Sequence, residues 1–152
     1  MAVDFTILDN FNNTIETLQK SVNASIKESI NKNKRSVRKL QTTDQMYKGK
    51  TNQGLDIKPF YKDSTIKIKR RKGQITSRVT LKDTGDFYKG IEIIAGNNAV
   101  MIIPGSIPSY NIYLIDKYED ILGLTKENWT AFILKYTLPR IKKNFDDIIA
   151  RS

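Results

Sequence analysis

From Val79 to Ile91 the chain changes its period, and this stretch restricts the fold more than any other. Val79 and Leu81 alternate with Thr80 and Lys82, as on a strand with one buried face. Thr84-Gly85 stops the alternation. Thr84 is placed to cap a short helix starting near Asp86, whose carboxylate suits a helix N-terminus. Phe87 and Ile91, four residues apart, would seat that helix on a core. On physics alone the stretch is a compact turn joining a strand to a helix.

The strand is expected to run back to Gln74, with Ile75, Ser77, Val79 and Leu81 inward and Thr76, Arg78 and Thr80 outward. Before it, residues 63–73 fit two templates. Thr65 to Lys69 alternate like a strand, yet Ser64 can cap a helix, Lys69 to Lys72 favour its C-terminus and Gly73 can close it. We take the helix. After the Thr-Gly turn, Ile91 to Ala95 and Ala99 to Ile103 form a hairpin around Gly96-Asn97-Asn98. Pro104-Gly105 and Pro108 end it, and Tyr110 to Ile115 is either a further strand or a short helix.

Helices flank this centre. From residue 4 to residue 40 Phe11, Ile15, Leu18, Val22, Ile26 and Ile30 recur at three- and four-residue steps, with Val37 and Leu40 after the polar stretch Asn31 to Ser36. This is one long helix, whole or interrupted there, with a single narrow apolar face. That face lies on the domain's own sheet or on a neighbouring subunit. Residues 42–60 read as punctuation, with an exposed turn-rich loop from Lys48 to Gly54. Thr125 begins the last helix, residues 125–150, with Glu127 in its first turn. Leu124, Trp129, Phe132 and Tyr136 pack it, and Pro139 should kink or divide it. The expected fold is α+β, one domain over residues 1–152: a long N-terminal and a C-terminal helix packed on a small antiparallel sheet, with the core at residues 60–115.

Charge and missing residue types bound the chemistry. Lys and Arg number 26 against 16 Asp and Glu, a formal +10, which calls for an anionic partner or acidic neighbours in an assembly. There is no Cys, hence no disulfide, as in a protein made in a reducing cytoplasm. There is no His, the commonest metal ligand and general base. The N-terminus lacks a signal-peptide pattern, and Val100 to Ile103, the best apolar run, is far short of a membrane span. Gly49-Lys50-Thr51 matches the end of a phosphate-binding loop, but position 44, which must be Gly, is Asp44.

The densest basic patch comprises Lys62, Lys67, Lys69, Arg70, Arg71, Lys72, Arg78 and Lys82, beside Tyr61. It reads as a phosphate-tracking surface, as a seat for acidic protein faces, or as a solvated face. No base-reading module accompanies it. Leu122 to Trp129 superficially resembles entry to a recognition helix, but Trp129 and Phe132 suit a core. Asp83 and Asp86 at the turn, with Asp116, Glu119 and Asp120 later, are the carboxylates a metal nuclease would draw on. Asp86 is better used at the helix start and Glu119-Asp120 in a solvated loop, so no catalysis and no cofactor are expected.

The order Leu81-x-x-Thr84-Gly85-x-Phe87-x-x-Gly90-Ile91 resembles the signature of tailed-bacteriophage morphogenesis proteins, the neck, head–tail connector and tail-completion components. Further likenesses are the Gly49 and Gly54 loop before Pro59-Phe60-Tyr61, the segment 63–73, and Tyr118 followed by Leu122-Gly123-Leu124-Thr125. Together they span roughly Met46 to Trp129. The Arg-Pro-Phe of related proteins is Glu119-Asp120-Ile121 here. The resemblance implies a structural virion protein, assembled in the host cytoplasm, that forms a ring of six or twelve copies around a DNA passage. Its implied partners are itself, neighbouring connector or tail proteins and DNA without sequence preference, with no membrane. Loops 48–61 and 103–113 are candidate ring contacts, and Lys67, Lys69, Arg70, Arg71, Lys72 and Arg78 candidate DNA or partner contacts. A basic, sequence-independent nucleic-acid-binding protein acting alone is the alternative.

Overall fold

The structure, a computed structural model, describes residues 5–97 and 99–151, with side chains from residue 9 onward. Two expectations, a helix starting at Asp4 and a turn through Asn98, fall on residues outside that set. The elements are α1 (Phe5–Lys32), α2 (Lys34–Thr42), a 3-10 turn (Met46–Lys48), α3 (Asp63–Arg71), α4 (Asp86–Lys89), β1 (Ile91–Ala95), β2 (Val100–Pro104), α5 (Ser109–Lys117), α6 (Lys126–Phe132), a π-helical stretch (Ile133–Thr137) and α7 (Leu138–Ile149). The fold is α+β, with the long N-terminal helix and the C-terminal helix packed on a two-stranded antiparallel sheet.

A two-stranded ribbon has little stability of its own, so β1 and β2 depend on what covers them. The register pairs Ile93 with Ile102. Ile91 and Ile93 of β1 point inward and are buried, while Glu92 points out. Arg38 of α2 fastens the start of β1, its Nε donating to the Ile91 carbonyl at 2.8 Å. The buried core adds Ile30, Val37, Met46, Ile57, Val79, Phe87, Tyr118, Ile121 and Phe132. Each of the larger ones contributes about 1.5–3 kcal/mol by leaving water.

The long helix is interrupted at Asn33, within the polar stretch, and its buried face differs from the apolar stripe. Ser25 and Ser29 are buried, whereas Phe11 is 61% and Ile15 37% exposed; only Ile30, at the end of the stripe, is fully covered. Serines have no bulk to hold helices apart, and α7 uses that room. Asn144 Nδ2 donates to Ser25 Oγ at 2.8 Å, Ser29 Oγ donates to the Tyr136 carbonyl at 3.2 Å, and Arg140 pairs with Glu28 at 2.7 Å.

The helix over 63–73 is present as α3. Lys62 rather than Ser64 is its N-cap, and Gly73 at φ 64° closes it. Tyr110 to Ile115 is helical, within α5. The strand expected over residues 74–81 does not form: among the described residues the segment pairs with no strand, and the chain bends at Ser77 and Arg78. Two phenols do the work of a neighbour. The Thr80 N–H donates to Tyr61 Oη at 2.8 Å, and Tyr88 Oη donates to the Thr80 carbonyl. Leu81 then turns to φ 53°, where no strand continues. The last helix is divided, as Pro139 requires. Proline donates no N–H and crowds the turn before it, and the chain passes Ile133–Thr137 in π geometry before α7 resumes.

The loop before α6 is held by two glutamines one turn apart. Gln41 donates to the Ile121 carbonyl at 2.7 Å and accepts from the Gly123 N–H at 2.9 Å. Gln45 donates to the Gly123 carbonyl at 2.7 Å and accepts from the Thr125 N–H at 2.9 Å. Asn52 completes the clamp, its N–H reaching the Asp120 carbonyl at 2.7 Å. Residues 42–60, expected to be mere punctuation, are therefore partly core, with Met46 and Ile57 buried.

Candidate functional site: the lysine and tyrosine cleft at the Thr-Gly turn

A short helix, α4, starts at Asp86, as expected, but Gly85 rather than Thr84 is its N-cap. Gly85 takes φ 95°, a conformation that a side chain disfavours. Thr84, one position earlier, accepts from the Asp86 N–H at 3.4 Å and donates to Asp86 Oδ2 at 2.6 Å. Leu81, Phe87 and Ile91 lie in the core beneath. The turn thus has a buried side that fixes it and an exposed polar side.

That exposed side is one wall of a cleft of about 270 Å³. α3 supplies a second wall through Thr65, Ile68, Lys69 and Lys72, and α5 a third through Tyr110, Tyr113, Leu114 and Lys117. Tyr110 Oη donates to Asp86 Oδ2 at 3.1 Å, tying α5 to the turn. Thr84 and Tyr110 together hold the Asp86 carboxyl below its ordinary value, and the same bond pushes the Tyr110 phenol up. Across the cleft Lys72 holds Asp83 at 2.7 Å, and with Gln74 lowers the Asp83 pKa.

The basic patch separates into two groups. Lys69 is buried: its Nζ donates to the Lys82 carbonyl and to Gln74 Oε1, 5.1 Å from the centre of the Tyr61 ring. Arg78 donates to the Tyr47 carbonyl at 2.9 Å, and its guanidinium lies over the Tyr47 ring. Lys72 is spent on Asp83. Lys69 and Arg78 thus make contacts within the fold, while Lys72 stays exposed in its pair with Asp83. Lys67, Arg70 and Arg71 are exposed, on the side of α3 away from the cleft, and among the described residues they make no ion pair or side-chain hydrogen bond. At the other end of the chain, Leu124 and Phe132 are buried, and Trp129 and Tyr136 half-buried, with ring contacts Trp129–Phe132 and Phe132–Tyr136 at 6.1 and 5.1 Å.

Reading the sequence missed α5 as a wall of the site. Tyr110, Tyr113 and Lys117 fall on one face at helical spacing, a signal lost while that segment also fitted a strand. Among the described residues no three carboxylates gather as a metal site would require, and no helix is long and apolar enough to cross a membrane. Lys82 and Lys117 also line the cleft, their ammonium groups lying over the Tyr47 and Tyr118 rings, and Tyr110 and Tyr113 add exposed aromatic surface. That combination suits a ligand both acidic and partly apolar, such as a protein surface.

The described residues thus define a small α+β protein with a composite cleft at a Thr-Gly turn. Compared with protein-family models, with curated proteins and with solved structures, the chain matches none.

Proposed function

We propose that the protein is a structural component of a tailed-phage virion, a ring-forming element of the neck or upper tail around the DNA passage. It acts by docking, not by turnover. One observation carries this reading beyond the resemblance of the Thr-Gly signature. Both segments named as ring contacts expose large apolar side chains: Leu55 and Phe60 in one, Tyr110, Ile112 and Tyr113 in the other, each at least half exposed. Exposed apolar groups gathered on two separate segments favour burial against other protein chains. A ring is what heterologous contacts close into, one segment meeting a different one on the next copy.

The second reading, a basic nucleic-acid-binding protein acting alone, is favoured by the unpaired Lys67, Arg70 and Arg71. The triple variant K67E/R70E/R71E separates the two, because these side chains hold no part of the fold. Under the assembly reading the variant keeps the wild-type oligomeric mass while any DNA affinity drops. A wild-type protein that stays monomeric and binds DNA, with all affinity lost in the variant, would overturn that reading.

A further inference from the structure

The antiparallel contacts of α1 with α7, Ser25 to Asn144 and Glu28 to Arg140, place the end of α7 at Ile149 near residue 20 of α1. The preceding turns of α1 project beyond it. None of residues 9–20 is buried, and Phe11 and Ile15 are 61% and 37% exposed. Yet Phe11, Ile15 and Leu18 form an apolar stripe at anchor spacing. Further along the same helix, Ile26 and Ile30 line an open groove of about 400 Å³ with Val100, Trp129, Phe132 and Ile133. Its lining is apolar except for Thr137. One chain therefore carries an unseated apolar stripe and an unfilled apolar groove. α1 is continuous from Phe5 to Lys32, so the stripe cannot reach its own groove without breaking the helix.

Charge selects the occupant. Residues 1–19 hold Asp4, Asp9 and Glu16 and no Lys or Arg, a net −3. Residues 20–152 hold all 26 Lys and Arg and the other 13 of the 16 acids, a net +13. Asp9 and Glu16 lie on the side of α1 away from the stripe, so they give the arm a long-range attraction to a basic body rather than pairs in the seat.

We propose that the projecting half of α1 is an assembly arm, whose Phe11–Ile15–Leu18 stripe docks in the groove beside Ile26, Ile30 and Ile133 of a second copy of this chain. This rests on the assembly reading in taking a second copy as partner, and it assigns the contact to a surface outside the two loops named above.

The chain has no Cys, so single cysteines report contacts cleanly. F11C and I133C proteins are mixed and oxidised, with F11C plus S77C as control, and the mass of full-length F11D/I15D is measured by light scattering. Mixed disulfides between F11C and I133C should form at least tenfold faster than in the control, and F11D/I15D should fall to monomer with its helical circular dichroism retained. Cross-linking no faster than the control, or wild-type mass in F11D/I15D, overturns the arm. If the wild type nevertheless forms a ring, the assembly reading stands without it. A monomeric wild type with no such cross-link overturns both.

Discussion

The ammonium of Lys69 donates to the carbonyl oxygen of Lys82 at 2.7 Å, from a side chain that is only 7% exposed. This bond pins the back of α3 to the chain entering the Thr-Gly turn. It shapes the cleft, and it removes from the surface a lysine that composition alone counts as a ligand contact.

Lys69→Ala should therefore cost stability rather than affinity. A hydrogen bond from a charged donor to a buried acceptor is worth about 1.5–3 kcal/mol, and the urea midpoint should fall accordingly. Lys69→Met, which keeps the stem, should lose less. An Ala variant with unchanged midpoint would show that the bond holds nothing.

Gln45 meets the Gly123 carbonyl, the Thr125 N–H and Asn128 Nδ2, so one side chain secures the start of α6. Gln45→Ala leaves buried partners unpaired, and should cost about 2–3 kcal/mol. Amide exchange should rise first at Thr125, whose N–H donates to Gln45.

Asp83 links stability to acid. Its hydrogen bond from Lys72, and then that from Gln74, lower its pKa in the folded state from an ordinary value of 3.8. A carboxyl with a depressed folded pKa stabilises the fold above its unfolded pKa, and that contribution disappears as pH falls through the folded value. The gap between wild type and Asp83→Asn should be full at neutral pH and close below about pH 4. Asp83 is more than half exposed, so the gap should stay under about 1 kcal/mol. Urea midpoints measured from neutral to strongly acid pH test both the sign and the window.

Much of the architecture was legible because it depends on short-range signals. Gly73 closing α3, Thr125 capping α6, Pro139 dividing the last helix and the two apolar runs of the hairpin each act within a few residues. The misreadings share a different cause. Residues 74–81 alternate like a strand, but Tyr61 and Tyr88 satisfy Thr80 from distant positions, so no sheet is needed. The buried face of α1 is marked by Ser25 and Ser29, which carry no hydrophobic signal and are chosen by the closeness of α7. The two clamping glutamines look like surface residues in the sequence. The cleft was half legible: its turn was singled out, but the convergence of α3 and α5 upon it is tertiary, and most of the basic cluster proved to be divided between two faces.

The most direct test of the account is the mass of the purified wild-type chain by light scattering, without nucleic acid, at low and at high salt. A discrete ring, a fixed multiple of the protomer that persists in both, is the predicted result, because the contacts invoked are mainly apolar and weakly screened. A monomer at every concentration, associating only with DNA and with an affinity that falls log-linearly with salt, would contradict it.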